Sequence, residues 1–180
     1  MTINFEHVKE GIRFGIRALK PGFKQYNGDA NKVCRQIVKN CWNGSYFQVS
    51  CGHFSEFYIR DLGWCAKSLI KLGYKNKLKK SIEFALRIYK KHGHITTTIT
   101  PNHKPIDVFT IAPDSLAYMF HILKLLDAKT IIKKYKQFLQ KEIDRYYKAC
   151  FDPNLGLVRS DKCLSSMKDQ VKRYSSTYDN

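Results

Sequence analysis

The sequence predicts an all-α protein built from tandem antiparallel helix hairpins, with short strands in the loops that connect them. Three observations carry this prediction. Apolar side chains recur at helical spacing in several segments, a glycine stop separates the two members of a pair, and similar helix starts return about every 53 to 55 residues.

In the first pair, Phe5, Val8, Ile12, Ile16 and Leu19 form one stripe, and Val33, Ile37 and Cys41 form another after a turn spanning Gly22 to Asp29. In the second, a helix over Leu62 to Leu72 carries Trp64, Ala66, Leu69 and Ile70 and stops at Gly73, a residue suited to the left-handed helix end. Leu78, Ile82, Ala85 and Tyr89 stripe its partner helix. A third pair runs from Asp114 to about Leu126, with Leu116, Phe120 and Leu123, and from about Thr130 to Cys150, with Ile131, Tyr135, Phe138 and Leu139. Sliding Asp61 onto Asp114 also lays Lys71 on Lys124, Leu72 on Leu125 and Lys80 on Lys133, and a similar step reaches Asp169. Between the second and third pairs, ITTTIT alternates as a short strand does. Stacked helix pairs bury their faces only against neighbours, so three pairs predict an open array or part of a closed ring. The chain stops where a further inner helix is expected, which reads as a missing continuation.

With 180 residues, 43% of them apolar and 24 aromatic rings, residues 1–180 are expected to form a single helical-hairpin domain with a real core rather than a disordered tail. Charge interrupts the first twenty residues too often for a secretory signal, and no run is apolar enough for a membrane span, so a cytoplasmic protein without membrane contact is expected. The six cysteines, at 34, 41, 51, 65, 150 and 163, contain no CxxC pair and read mainly as core thiols of a reducing compartment. His92, His94 and His103 cluster in KHGHITTTITPNHKP, but no carboxylate stands at ligand spacing, so neither a metal nor another cofactor is expected. The net charge of +17 raises the prospect of a nucleic-acid partner, although Lys75, Lys77, Lys79, Lys80, Lys90 and Lys91 also read as the solvated face of one helix.

Chemistry concentrates at the helix starts. Asp61, Asp114 and Asp169 begin equivalent helices and are expected to share one rim, while Asp is also a favoured residue at helix N-termini for capping and dipole reasons alone. Arg60 precedes Asp61, and His53, Phe54, Tyr58 and Trp64 surround the pair in sequence. Such a mixture suits saccharides, because aromatic faces cover the C–H patches of a sugar ring while Arg and carboxylate bind its hydroxyls directionally.

FYIRDLGW (57–64) followed by SLIKLGY (68–74) resembles the Arg-Asp helix start of the six-hairpin glycosidases, the glucoamylase, trehalase and glycogen-debranching group. LSSMKDQVKRYSSTYDN (164–180) resembles the loop in which those enzymes carry a catalytic acid. The resemblance covers roughly Cys34 onward and implies about half of an (α/α)6 toroid acting on or binding an α-glucosidic saccharide. It implies Asp169 as the general acid, and Arg60 and Asp61 as holding the sugar; the residue types and helix starts add His53, Phe54, Tyr58, Trp64 and Asp114 as expected substrate-binding residues. Met167 stands near the position where the family often has Trp, and the family's second carboxylate belongs to later hairpins. Glycoside cleavage needs one protonated acid and a second carboxylate as base or nucleophile. A glycoside hydrolase is therefore expected only if a second copy, a separate chain or a missing C-terminal half completes the ring. An acid at Asp169, beside Lys168 at a helix start, would have its pKa pushed down rather than up. The rival expectations are a basic helical-repeat module that binds nucleic acid, and an inactive remnant.

Overall fold

A computed structural model describes residues 5–19, 25–52, 54–107 and 112–159. The protein is mostly helical, with a few two-residue strands. In chain order the elements are α1 (Phe5–Leu19), α2 (Ala30–Cys41), β1 (Phe57–Tyr58), α3 (Ile59–Lys71), α4 (Lys75–His92), β2 (Thr98–Ile99), β3 (Pro105–Ile106), α5 (Asp114–Leu125), α6 (Lys129–Cys150), β4 (Phe151–Asp152) and β5 (Leu157–Val158). His53 and Asp169 lie outside the described residues.

The core forms between α3, α4, α5 and α6. Helix α3 packs most extensively on α5, and each also contacts the helix that follows it. The turn between α3 and α4 is closed at Gly73, φ +86°, where Gly73 N–H donates to the Ile70 carbonyl and Tyr74 N–H to the Leu69 carbonyl. This double bond pattern satisfies carbonyls that a helix end leaves open. On α4 the expected stripe is the buried one, with Leu78, Ile82, Ala85 and Tyr89 all sealed from water. Ile131, Tyr135, Phe138 and Leu139 do the same on α6. On α5 the buried face overlaps the sequence stripe at Leu123 only. Ser115, Met119, Ile122 and Leu123 are buried, while Leu116 and Phe120 are half-buried at its edge.

The helices α3 and α5 approach closely because Gly63 has no side chain. A Cβ there would stand 2.8 Å from Cγ and 2.9 Å from Cβ of Tyr118, well inside van der Waals contact. ITTTIT does contain a strand, which forms the centre of a three-stranded antiparallel sheet, β1-β2-β3. Residues 95–100 are all buried. Their threonines are tolerated inside because each hydroxyl is hydrogen-bonded, Thr97 donating to Asp107 Oδ1 (3.0 Å) and Thr100 accepting from the Lys104 amide (3.2 Å). Thr96 donates to the Thr98 carbonyl (2.9 Å), and Thr98 to the Phe57 carbonyl (2.8 Å). Fully buried Glu142 on α6 accepts from the Ile95 amide (2.7 Å) and from Arg145, fixing the same segment to the helix.

The first pair departs most from expectation. The stripe of α1 faces outward, with Phe5 77%, Ile12 60% and Leu19 86% exposed, and its polar side holds the rest of the protein. Ile37 on α2 is also open. The cysteines depart as well: Cys41 and Cys150 are buried, whereas Cys34, Cys51 and Cys65 are exposed. Apolar flanks in sequence do not by themselves put a thiol on the inner face of a helix.

Candidate functional site

The chain turns from β1 into α3 at Tyr58, which is extended (φ −117°, ψ 124°) and caps the helix without a side-chain hydrogen bond. Helix α5 likewise starts after Pro113 without a side-chain cap. Asp61 and Asp114 therefore do not act as N-caps, although both sit in a first turn, where a carboxylate complements the helix dipole.

The two helix starts are joined by charge. Arg60 Nε lies 2.7 Å from Asp114 Oδ2, with the two side chains 16% and 7% exposed. A pair this withdrawn from water is costly to assemble and costlier to break, since either partner left alone would be a nearly buried charge. Arg60 thus reaches across to the neighbouring helix. Asp61, the next residue, is exposed and lies on the wall of a separate cleft of about 160 Å³ between α2 and α3. That cleft is floored by apolar side chains including Val38, Leu62 and Leu69, with Gln48, Tyr58 and Asp61 as its polar groups. Its volume is below the roughly 300 Å³ of ordinary small-molecule pockets, enough for one ring-sized group rather than an oligomer.

Two aromatic rings stand exposed at this end of the protein's sequence neighbourhood. Trp64, one turn after Asp61, is 58% exposed and donates its indole N–H to the Tyr118 hydroxyl. Phe54 is 43% exposed and rests on Phe14 of α1, ring centroids 5.2 Å apart. Tyr118 has no place in the sequence reading, although its position one turn after Asp114 puts both on one helix face.

A second polar group, also not anticipated, anchors α1. Arg13 bonds Glu10, the buried Glu56 and Ser55 (2.9 Å to Oγ), and Arg17 bonds Ser55. His7 Nε2 meets the Asp107 carbonyl at 3.0 Å. Burial opposes the charge on Arg13, but Glu10 and Glu56 together outweigh it and hold its pKa above the ordinary arginine value. One carboxylate oxygen each of Glu10 and Glu56 is buried without a hydrogen bond.

Two thiols, Cys41 and Cys65, line the cleft. Burial, reinforced by Cys51, pushes Cys41 up to about 11, and burial with Asp61 nearby raises Cys65. Elsewhere the His92 and His94 rings lie 4.3 Å apart at a tilt of 51°, while His103 packs edge-on against Phe84. Among the described residues no group of three or more His, Cys, Asp or Glu side chains is arranged to hold a metal ion. Lys75, Lys79, Lys80, Lys90 and Lys91 are exposed on α4, whereas Lys77 is half-buried over the Trp42 ring at 5.3 Å. Among the described residues, no helix is long and apolar enough to cross a membrane.

No protein-family model, curated protein or solved structure matches this chain.

Proposed function

We propose that this protein binds an α-glucosidic saccharide at the N-terminal ends of α3 and α5, as one half of a helical toroid of the six-hairpin glycosidase kind. The observation that carries the reading is the Arg60–Asp114 ion pair, which ties the starts of two helices that follow one another in the repeat. Asp61, next to Arg60 in sequence, is accessible on the cleft between α2 and α3, and Tyr58 and Trp64 offer ring surface within a turn on either side. In this reading Asp61 accepts hydrogen bonds from sugar hydroxyls and Trp64 covers a C–H face, with Phe54 offering further ring surface. Asp169 supplies the acid. Hydrolysis needs a second carboxylate, brought by a second copy or by a separate chain that also covers the exposed stripe of α1. The protein acts in the cytoplasm.

Titration of the isolated chain with a maltooligosaccharide in a calorimeter tests this. Saturable binding that persists from about 50 to 500 mM salt and weakens at least about tenfold in Asp61→Asn is expected, with no turnover. Heat indistinguishable from dilution, or clear hydrolysis by the chain alone, overturns the proposal.

The second reading, a basic module that binds nucleic acid, is favoured by the exposed lysines of α4 and the net charge of +17. Binding to duplex or single-stranded nucleic acid that falls steeply with salt and ignores Asp61→Asn would select it. A remnant without ligand would show neither behaviour.

A further inference from the structure

We propose that α1 is a dimerisation helix, pairing antiparallel with α1 of a second copy of this chain through its outward apolar stripe. Phe5, Val8, Ile12, Ile16 and Leu19 are each more than half exposed. A helix turns about 100° per residue, which gathers these five on one narrow sector in which no charged residue falls. The opposite side is already taken. Arg13 bonds Glu56 and Ser55, Arg17 bonds Ser55, and His7 meets the Asp107 carbonyl, so α1 cannot roll over to hide the stripe without breaking these contacts.

The spacing of the stripe selects the occupant. Its steps are three, four, four and three residues, the same read from either end. A two-fold contact sets residue i on residue j and j on i, so a stripe that reads alike in both directions is complementary to itself. With the axis at Ile12, an antiparallel copy lays Phe5 against Leu19, Val8 against Ile16 and Ile12 against its own counterpart, and every apolar side chain meets another. A lipid surface or an unrelated chain asks for no such symmetry. Gly11 and Gly15, one turn apart at the edge of the sector, have open space where a Cβ would stand. Glycine weakens a helix, and nothing within the chain crowds either position, whereas a second backbone lying alongside would. The contact covers on the order of 1,000 Å² over both copies, the lower end of specific interfaces, so the dimer is weak and reversible. The net charge of +17 on each copy opposes association, and salt, by screening that repulsion, strengthens it. The assignment stands without the saccharide reading, since it uses neither Arg60, Asp61 nor Asp114.

Sedimentation equilibrium of the full chain from about 1 to 300 μM, without any sugar, tests the assignment. The mass should climb from 21.0 kDa toward twice that value, further in about 500 mM salt than in about 100 mM. Ile12→Arg sets two like charges on the two-fold axis and should weaken association at least about tenfold, with far-ultraviolet circular dichroism unchanged because Ile12 is open in the single copy. Asp61→Asn should leave the dimer as it is. Cross-linking reads the register: under mild oxidation Ile12→Cys should bond to itself and Phe5→Cys to Leu19→Cys in a mixture, but Phe5→Cys not to itself, with peptide mapping to separate these bonds from those of the native thiols. A single 21.0 kDa species throughout, a dimer indifferent to Ile12→Arg, or self-cross-linking of Phe5→Cys would overturn the proposal. So would binding to anionic lipid vesicles by a chain that stays monomeric in solution, which would give the stripe to a membrane surface instead.

Discussion

Replacing Asp114 by Asn tests the feature on which the arrangement of α3 and α5 depends. The substitution keeps the shape of the side chain and removes the charge that faces Arg60 at 2.7 Å. Removing one partner of a buried ion pair typically costs 3–5 kcal/mol, because the other charge stays desolvated. Arg60 is 16% exposed, so water recovers part of that loss and the expected cost is at the lower end, about 3 kcal/mol. For a protein of this size that corresponds to a fall in Tm of roughly 6–12 °C. Thermal and urea unfolding followed by circular dichroism read it directly. Arg60→Gln alone should also destabilise, and the double substitution should be milder than the sum of the singles by at least about 1 kcal/mol. A shift of Tm within 1–2 °C for Asp114→Asn, or additive singles, would mean that the pair does not join the two helices and would remove the main support for a shared rim.

Gly63→Ala should destabilise despite the gain in helix propensity of about 1 kcal/mol. Its Cβ meets Cβ of Tyr118, an atom that moves only with the α5 backbone, so an overpacking cost of about 1–3 kcal/mol should dominate and Tm should fall. A rise in Tm would show that α5 yields freely. Burial, with His92 and Arg145 adding repulsion, lowers the pKa of His94 in the folded state. The unfolded chain therefore takes up the proton first, and stability present above the ordinary histidine range is lost as pH falls through it. Unfolding curves from pH 7.5 to 5.5 should show this loss, and His94→Asn should flatten it; an unchanged slope in the variant would assign the effect elsewhere.

The helices of the second and third pairs were legible in the sequence because they bury one face each against close neighbours. Leu78 to Tyr89 and Ile131 to Leu139 keep the spacing that one-sided burial demands, and Gly73 marks the turn between α3 and α4. The same logic misdirects on α1, where an equally regular stripe faces outward: periodicity reports that a helix has two faces, not which of them is covered. On α5 it finds Leu123 but misses Ser115 and Met119, which are buried while Leu116 and Phe120 stay at the edge. At the rim, the sequence brings Arg60 next to Asp61, but a side chain on a helix reaches across to a neighbouring element as readily as along its own. The pairing of Arg60 with Asp114, fifty-four positions away, leaves no local pattern. The roles of Arg13, Glu56 and Tyr118 are unreadable for the same reason.

Helix α1 is fastened by its hydrophilic edge. Hydrophobic elements normally resist release because letting go wets their greasy side, but here that side is wet from the outset and the hold comes from guanidinium and carboxylate groups. Its attachment therefore depends on ion pairs withdrawn far enough from water that electrolyte screens them little, and any molecule that shelters Phe5, Ile12 and Leu19 would add an apolar hold to an ionic one.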